Sequence, residues 1–340
     1  MVCARCWYAL EDWSPDIMAI LLNPIDAVIN FVRPEAEGIR SFELVPANGG
    51  SFPSFTAGAH IDIALGNGMV RSYSLVNSQD EVHRYVIAVN LDKSSRGGSR
   101  YVHEQLKEGT GVVISNPRNN FPLVETESHS VLIAGGIGIT PIWSMAQRLA
   151  ALGRSWELHY ACRTRSCAAF LASISDLATR GYGAASVTFD QEIGGEMLSL
   201  SDIVRSAPQG SHFYCCGPKS MLEAYDKVTD SLPRHLVSKE HFGIASSAIP
   251  VGAGYTVVLS RSGKTLKVEP GNTILETLLQ NGIRMNYSCT QGICGTCETG
   301  VMEGIPDHQD WVLSDEKKAS NKSIIICCSG SKTDTLVLDM

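Results

Sequence analysis

Cys289, Cys294 and Cys297 are separated by four and then two residues, and the pair Cys327-Cys328 begins thirty positions after the third. Four thiolates can hold two irons, and a tight loop lets three of them converge from one segment, so the spacing suits a 2Fe–2S cluster. Gly292 and Gly295 lie inside that loop. They permit unusual backbone angles and keep bulk away, so that loop N–H groups can point at the sulfurs. Buried thiols or structural zinc are the competing uses of such residues. Structural zinc usually shows paired two-residue spacings, which are absent here. On spacing alone, Cys327 and Cys328 both remain open as the fourth ligand.

A second chemistry is written in two turns. Gly135-Gly136-Ile137-Gly138-Ile139-Thr140-Pro141 follows the apolar run Val131–Ala134 and precedes a helical pattern. Such a turn lets backbone N–H groups approach a diphosphate at a helix N-terminus. Tyr214-Cys215-Cys216-Gly217-Pro218 follows another apolar run and opens a helix over Ser220–Val228. Two such turns at the carboxyl edge of one sheet fit a nicotinamide nucleotide lying across it. Alone, Cys216 reads as a small core residue.

Upstream, Arg71-Ser72-Tyr73-Ser74-Leu75 reads as a strand. An arginine can pair with phosphate, a tyrosine face can pack on an isoalloxazine ring, and a serine hydroxyl can bond its reactive nitrogen. Taken alone, it could also be an exposed strand with a solvated arginine. Arg96-Gly97-Gly98-Ser99 opens a predicted helix over Arg100–Lys107, a second anion-binding helix terminus, so a flavin phosphate fits there.

These residues need three scaffolds. Short β-type runs at Ser41–Val45, His60–Leu65, Val70–Val76 and Arg84–Asn90, punctuated by Gly and Pro, predict an antiparallel β-barrel over 24–124. Alternation follows over 125–241: strands at Val131–Ala134 and Trp156–Ala161, helices at Pro141–Leu152 and Ala168–Ala178. That order predicts an α/β domain with a parallel sheet. Phe242–Gly254 reads as a linker, and 255–340 as a further domain with a hairpin and a helix from Thr273 to Gln280. Residues 1–23 remain an unassigned extension.

Composition narrows the class. The chain has 340 residues, 44% of them hydrophobic and 19% charged, as expected of a multidomain globular protein. A net charge of −7 argues against nucleic acid as a partner. No apolar run approaches a membrane span, and the N-terminus lacks a signal layout, so no membrane association and a cytoplasmic location are expected. The eleven cysteines are then thiols or metal ligands rather than disulfides.

With these motifs in hand, the sequence resembles the phthalate dioxygenase reductase family, which includes reductase subunits of vanillate O-demethylase. The resemblance covers roughly 26–340 and rests on Arg71–Leu75, Tyr85–Val89, Arg96–Ser99, Pro117–Leu123, Gly135–Pro141, Cys215–Pro218, Asp307–Asp310 and Cys327–Ser329. It implies an FMN-binding β-barrel, an NAD-binding α/β domain and an α+β, β-grasp ferredoxin domain. It also implies that Arg71, Ser72, Tyr73, Ser74, Ala88, Val89, Gly97, Gly98 and Ser99 hold FMN. Phe242 would cover the flavin face where nicotinamide stacks. Gly136, Gly138, Thr140, Arg163, Cys216, Gly217 and Pro218 would line NAD. The family pattern makes Cys327 the fourth cluster ligand, beside Cys289, Cys294 and Cys297. Ser74, Cys216 and Phe242 would lie near the site of hydride transfer, with no side chain required as a strong acid or base. Gln309 and Gly330 stand where the family usually carries arginine.

The implied activity is NADH-dependent electron transfer through FMN and the cluster to a separate Rieske-type aromatic oxygenase, by a chain that acts as a monomer. A reductase for a ferredoxin or cytochrome P450 is the alternative enzyme, and a non-enzymatic redox sensor is the alternative from another class. Coenzyme choice is less direct. Cys162-Arg163-Thr164-Arg165-Ser166 ends the second parallel strand, where two arginines and a serine could bind the extra phosphate of NADPH. The family generally uses NADH, so NADH is expected.

Overall fold

A computed structural model describes residues 24–66, 69–92, 97–181, 183–241, 254–269, 272–287, 292 and 295–340. Phe242, Arg96, Cys289, Cys294, the extension 1–23 and nearly all of the expected linker lie outside these residues. The chain divides into two compact units, the first ending at Phe242 and the second beginning at Gly243.

The first unit opens with β1 (Ile25–Ala36), β2 (Ile39–Pro46), β3 (His60–Ala64), β4 (Val70–Ser74) and β5 (Tyr85–Asn90). The helix α1 (Gly98–Gln105) and β6 (Gly111–Ile114) follow. Their order in the sheet is β4-β3-β6-β1-β2-β5, and each pair is antiparallel. A bridge between Leu75 and Ile87 joins the two outer strands, closing the barrel that the sequence predicts. Alternate residues such as Phe42, Leu44, Ile61, Ile63, Tyr85 and Ile87 fill its interior. The twelve-residue β1 is missing from the sequence reading. Pro34 and several charged residues interrupt its alternation, and its pairing with β2 shifts register at two irregularities, between Ile29 and Phe31 and between Pro34 and Ala36.

The same unit continues with β7 (His129–Gly135), α2 (Ile139–Ala151), β8 (Ser155–Cys162), α3 (Leu171–Thr179) and β9 (Gly183–Phe189). It ends with α4 (Leu200–Ser206), β10 (His212–Gly217), α5 (Lys219–Thr229) and β11 (Val237–His241). The sheet, ordered β11-β10-β7-β8-β9, is parallel throughout. Helix α2 starts two residues before the predicted Pro141, because proline is tolerated in a first helical turn, where N–H groups lack intrahelical partners. Helix α3 starts later than predicted, at Leu171, after Phe170 adopts a left-handed backbone. One core joins barrel residues Ile39, Ala57, Val76 and Ala88 to Leu132, Ile142, Trp143 and Cys216 of the α/β part. Barrel and parallel sheet therefore hold a fixed relation to one another.

The second unit contains β12 (Tyr255–Leu259), β13 (Thr265–Val268), α6 (Ile274–Gln280), β14 (Glu298–Glu303), β15 (Pro306–Asp307), α7 (Asp315–Ser320), β16 (Ser323–Ile325), β17 (Gly330–Ser331) and β18 (Thr335–Leu338). Its main sheet, β13-β12-β18-β14-β16, is mixed, and α6 packs on it through Ile274, Leu275 and Leu278. A capping box, in which Thr273 and Glu276 bond each other's backbone N–H groups, sets where α6 begins.

Candidate functional site

Strand β4 and the start of α1 meet around Arg71. Its guanidinium donates to Val70 O (2.8 Å) and to Met69 Sδ (3.1 Å). A Cβ added at Gly98 would lie 2.7 Å from Arg71 Nε, so the helix terminus and the cation are nearly in contact. Gly97, the residue before the helix, has φ +101°, a conformation that favours glycine. A guanidinium beside a helix start that no side chain caps makes an anion seat. Burial pushes the Tyr73 hydroxyl up to about 12, partly offset by Arg71, so it stays protonated. Ser74 is 4% exposed, and its Oγ is buried without a hydrogen-bond partner among the described residues. A buried hydroxyl with nothing to bond is costly, and an acceptor or donor on a bound flavin ring would satisfy it. Ser72 differs from Ser74. Its hydroxyl donates to Asp62 Oδ1 at 2.6 Å, and Asp62 is also held by Arg118 at 2.6 Å. That network strengthens the barrel and leaves Ser72 engaged elsewhere.

The seat fits a flavin phosphate, and Arg71→Ala is expected to weaken FMN retention by about 1.5–3 kcal/mol. Equilibrium dialysis of the folded variant checks this, and unchanged affinity would make Arg71 a solvated side chain.

Strand β5, which carries Ala88 and Val89, packs against the Gly136–Gly138 turn. This places the expected flavin and nucleotide sets side by side. Gly136 has φ +54° and open space where a Cβ would point, as a backbone that receives a ligand requires. Gly138 has an ordinary φ, but a Cβ there would strike Cys216 O and lie 2.9 Å from Gly217 N. The two glycine turns touch, with Pro218 capping α5 behind them. Thr140 is buried and turns its hydroxyl back to Ile137 O (3.0 Å), so it braces the turn. Arg163 is exposed at the end of β8. Cys216 is wholly buried, and burial together with Glu240 pushes its thiol well up, so it is a neutral neighbour rather than a nucleophile.

Glu240 is the residue the sequence did not reveal. It sits on β11 directly opposite Cys216 on β10, is 7% exposed, and its Oε2 has no partner among the described residues. Burial pushes its carboxyl up to about 8, and burial pushes the adjacent His241 down to about 4. At neutral pH both are therefore largely uncharged, beside the nucleotide turn. A carboxyl raised by folding binds its proton more tightly in the native state. Native stability then falls as pH rises from the ordinary carboxylate range through about 8. Glu240→Gln is expected to abolish that slope, raising Tm over wild type more at about pH 8 than at pH 5. Parallel melting curves across that range would show Glu240 to be ionised.

In the second unit, Gly292 and Gly295 both have φ +74°. Cys297 and Cys327 are both buried in the core. Cys297 leads into β14, where Glu298 pairs with Ile325, and Ile326 N donates to Cys297 O at 3.5 Å. The segments that carry the two cysteines thus meet across one strand pair. Asp310 accepts N–H groups of Val312 (3.2 Å) and Leu313 (2.8 Å), and Trp311 N donates to Gly292 O (3.0 Å), so this segment buttresses the cysteine loop. Cys328 Sγ lies where a Cβ at Gly292 would point. Two buried cysteines beside a left-handed glycine loop fit a thiolate-held cluster.

The comparisons agree with this anatomy. An oxidoreductase NAD-binding domain matches residues 132–227, and a 2Fe-2S iron-sulfur cluster binding domain matches 257–331. The chain is 57% identical to tetrachlorobenzoquinone reductase of Sphingobium chlorophenolicum, over 94% of this chain and 99% of that one. It is 39% identical to vanillate O-demethylase oxidoreductase of a Pseudomonas strain, over 93% and 100%. Among solved structures, phthalate dioxygenase reductase superposes with a TM-score of 0.83 at 35% identity, over 96% of this chain and 100% of that one. No helix among the described residues is long and apolar enough to cross a membrane. Barrel, nucleotide sheet and 2Fe–2S domain follow in the same order along both full chains, and the chain belongs to the phthalate dioxygenase reductase family.

Proposed function

We propose that this protein carries electrons from NADH through FMN and a 2Fe–2S cluster to a separate Rieske-type oxygenase acting on an aromatic compound. The observation that carries this reading is the meeting of β5, the Gly136–Gly138 turn and Cys216–Gly217 in one compact unit. FMN supplies the exchange between paired and single electrons that a nicotinamide donor and an iron–sulfur acceptor require. Arg71 and the α1 terminus seat its phosphate, Tyr73 packs along its ring, and Ser74 directs a hydroxyl at it. Gly136 and Gly138 let the coenzyme approach, and neutral Cys216 and Glu240 line a dry floor that adds no charge there. Phe242, outside the described residues, would cover the flavin face where nicotinamide stacks, as the family resemblance implies. Cys289, Cys294, Cys297 and Cys327 hold the cluster. The modules are 24–124, 125–241 and 255–340. Free thiols at Cys162, Cys167 and Cys215 suit a reducing cytoplasm, where the chain acts as a monomer.

A second reading, direct reduction of a chlorinated benzoquinone, is favoured by the 57% identity to tetrachlorobenzoquinone reductase. Incubating the purified chain with NADH and tetrachlorobenzoquinone, or with a reconstituted aromatic oxygenase, separates the two. Turnover that needs the oxygenase supports the first, and quinone reduction without it supports the second. Neither activity would overturn both.

A further inference from the structure

The basic turn after β8 is guarded by carboxylates that lie far from it in sequence. Asp190 N donates to Cys162 O (3.1 Å) and Gln191 N to Arg163 O (2.9 Å), so the segment after β9 runs beside the turn. From that segment, Glu192 Oε1 accepts the backbone N–H of Arg165 at 2.6 Å. From the barrel, the turn between β1 and β2 reaches over as well. Glu37 N donates to Ser166 O (2.7 Å), and Ser166 Oγ donates to Glu37 Oε2 (3.0 Å). The Arg165 guanidinium lies over the Phe189 ring, 4.7 Å from its centroid. Gly195 fixes the loop: a Cβ there would strike Phe189 O, and its N–H bonds Glu192 O at 2.8 Å.

Two of the groups that could serve as phosphate ligands are thereby bonded to carboxylates. The Arg165 N–H and the Ser166 hydroxyl face carboxylates, and the Arg165 guanidinium rests on an aromatic face. A dinucleotide whose diphosphate lies at Gly136–Gly138 places its adenosine over the neighbouring strand end, which is this turn. We propose that Glu37 and Glu192 set coenzyme specificity, rejecting the 2′-phosphate of NADPH by charge while tolerating the free ribose of NADH. The proposal rests on the nucleotide placement given above for the NADH reading. A 2′-phosphate brought to the turn meets two like charges and finds the Arg165 N–H and the Ser166 hydroxyl already bonded to them.

The test uses the intact, cofactor-loaded chain and two probes, 5′-AMP and adenosine 2′,5′-bisphosphate, with affinities from calorimetry. Wild type should bind AMP more tightly. In Glu37→Gln/Glu192→Gln, which keeps both hydrogen-bonding side chains, affinity for the bisphosphate should rise about tenfold or more, with AMP nearly unchanged. The wild-type discrimination should also shrink as salt is raised, which a structural role for the two residues would not produce. Arg165→Ala, which removes a cation from the same turn, should lower the affinity for the bisphosphate further relative to AMP. An unchanged ratio in the double variant, or a wild type that prefers the bisphosphate, overturns the proposal. Wild type binding neither probe overturns the nucleotide placement, and the proposal with it.

Discussion

In Cys297→Ser, NADH-driven reduction of ferricyanide should continue near the wild-type rate while reduction of a protein acceptor falls by on the order of a hundredfold or more. The two activities separate because they draw on different units. Ferricyanide needs only the barrel and the parallel sheet, which form one body ending at Phe242. A protein acceptor is proposed to need the cluster, whose proposed ligands among the described residues, Cys297 and Cys327, lie beyond Gly243. Cys327→Ser should behave alike, and Cys328→Ser should keep the cluster, because Cys327 lies within the core beside Ile325 and Ile326 whereas Cys328 is only partly buried. Loss of cluster absorbance in Cys328→Ser with retention in Cys327→Ser would reverse the ligand assignment.

Gly138→Ala should raise the KM for NADH more than tenfold without loosening FMN. An added Cβ strikes the Cys216 carbonyl, and both contacts are backbone, so no side chain can swing aside. Overpacking of this kind costs about 1–3 kcal/mol, drawn here from the spacing of the two turns that receive the coenzyme. Gly136→Ala should weaken NADH binding by another route, because its methyl enters the open space proposed for the coenzyme and strains a left-handed backbone. If Gly138→Ala binds NADH normally, the two turns do not form the nucleotide floor.

Contiguous motifs made much of this site legible. Gly135–Pro141, Cys215–Pro218 and the cysteine spacing carry their geometry within a few residues, so their places at strand–helix turns and in a glycine loop could be read directly. Residues whose role depends on a distant neighbour could not. Glu240 sits in Ser238-Lys239-Glu240-His241, which reads as a solvated strand until β11 is laid on β10. Glu37 and Glu192 belong to two surface turns that converge on a third. The same limit hid β1, whose alternation is broken by Pro34 and recovered only through pairing with β2 and β6. Ser72 and Ser74 are indistinguishable in sequence, yet one bonds Asp62 and the other has no partner among the described residues.

The central claim is that electrons reach the cluster only by way of the flavin. Rapid-freeze electron paramagnetic resonance after anaerobic mixing with NADH tests it, using Arg71→Ala stripped of FMN but retaining its cluster. The cluster should stay oxidised over the time in which wild type reduces it, and added FMN should restore reduction. Cluster reduction at the wild-type rate in the flavin-free protein would contradict the account.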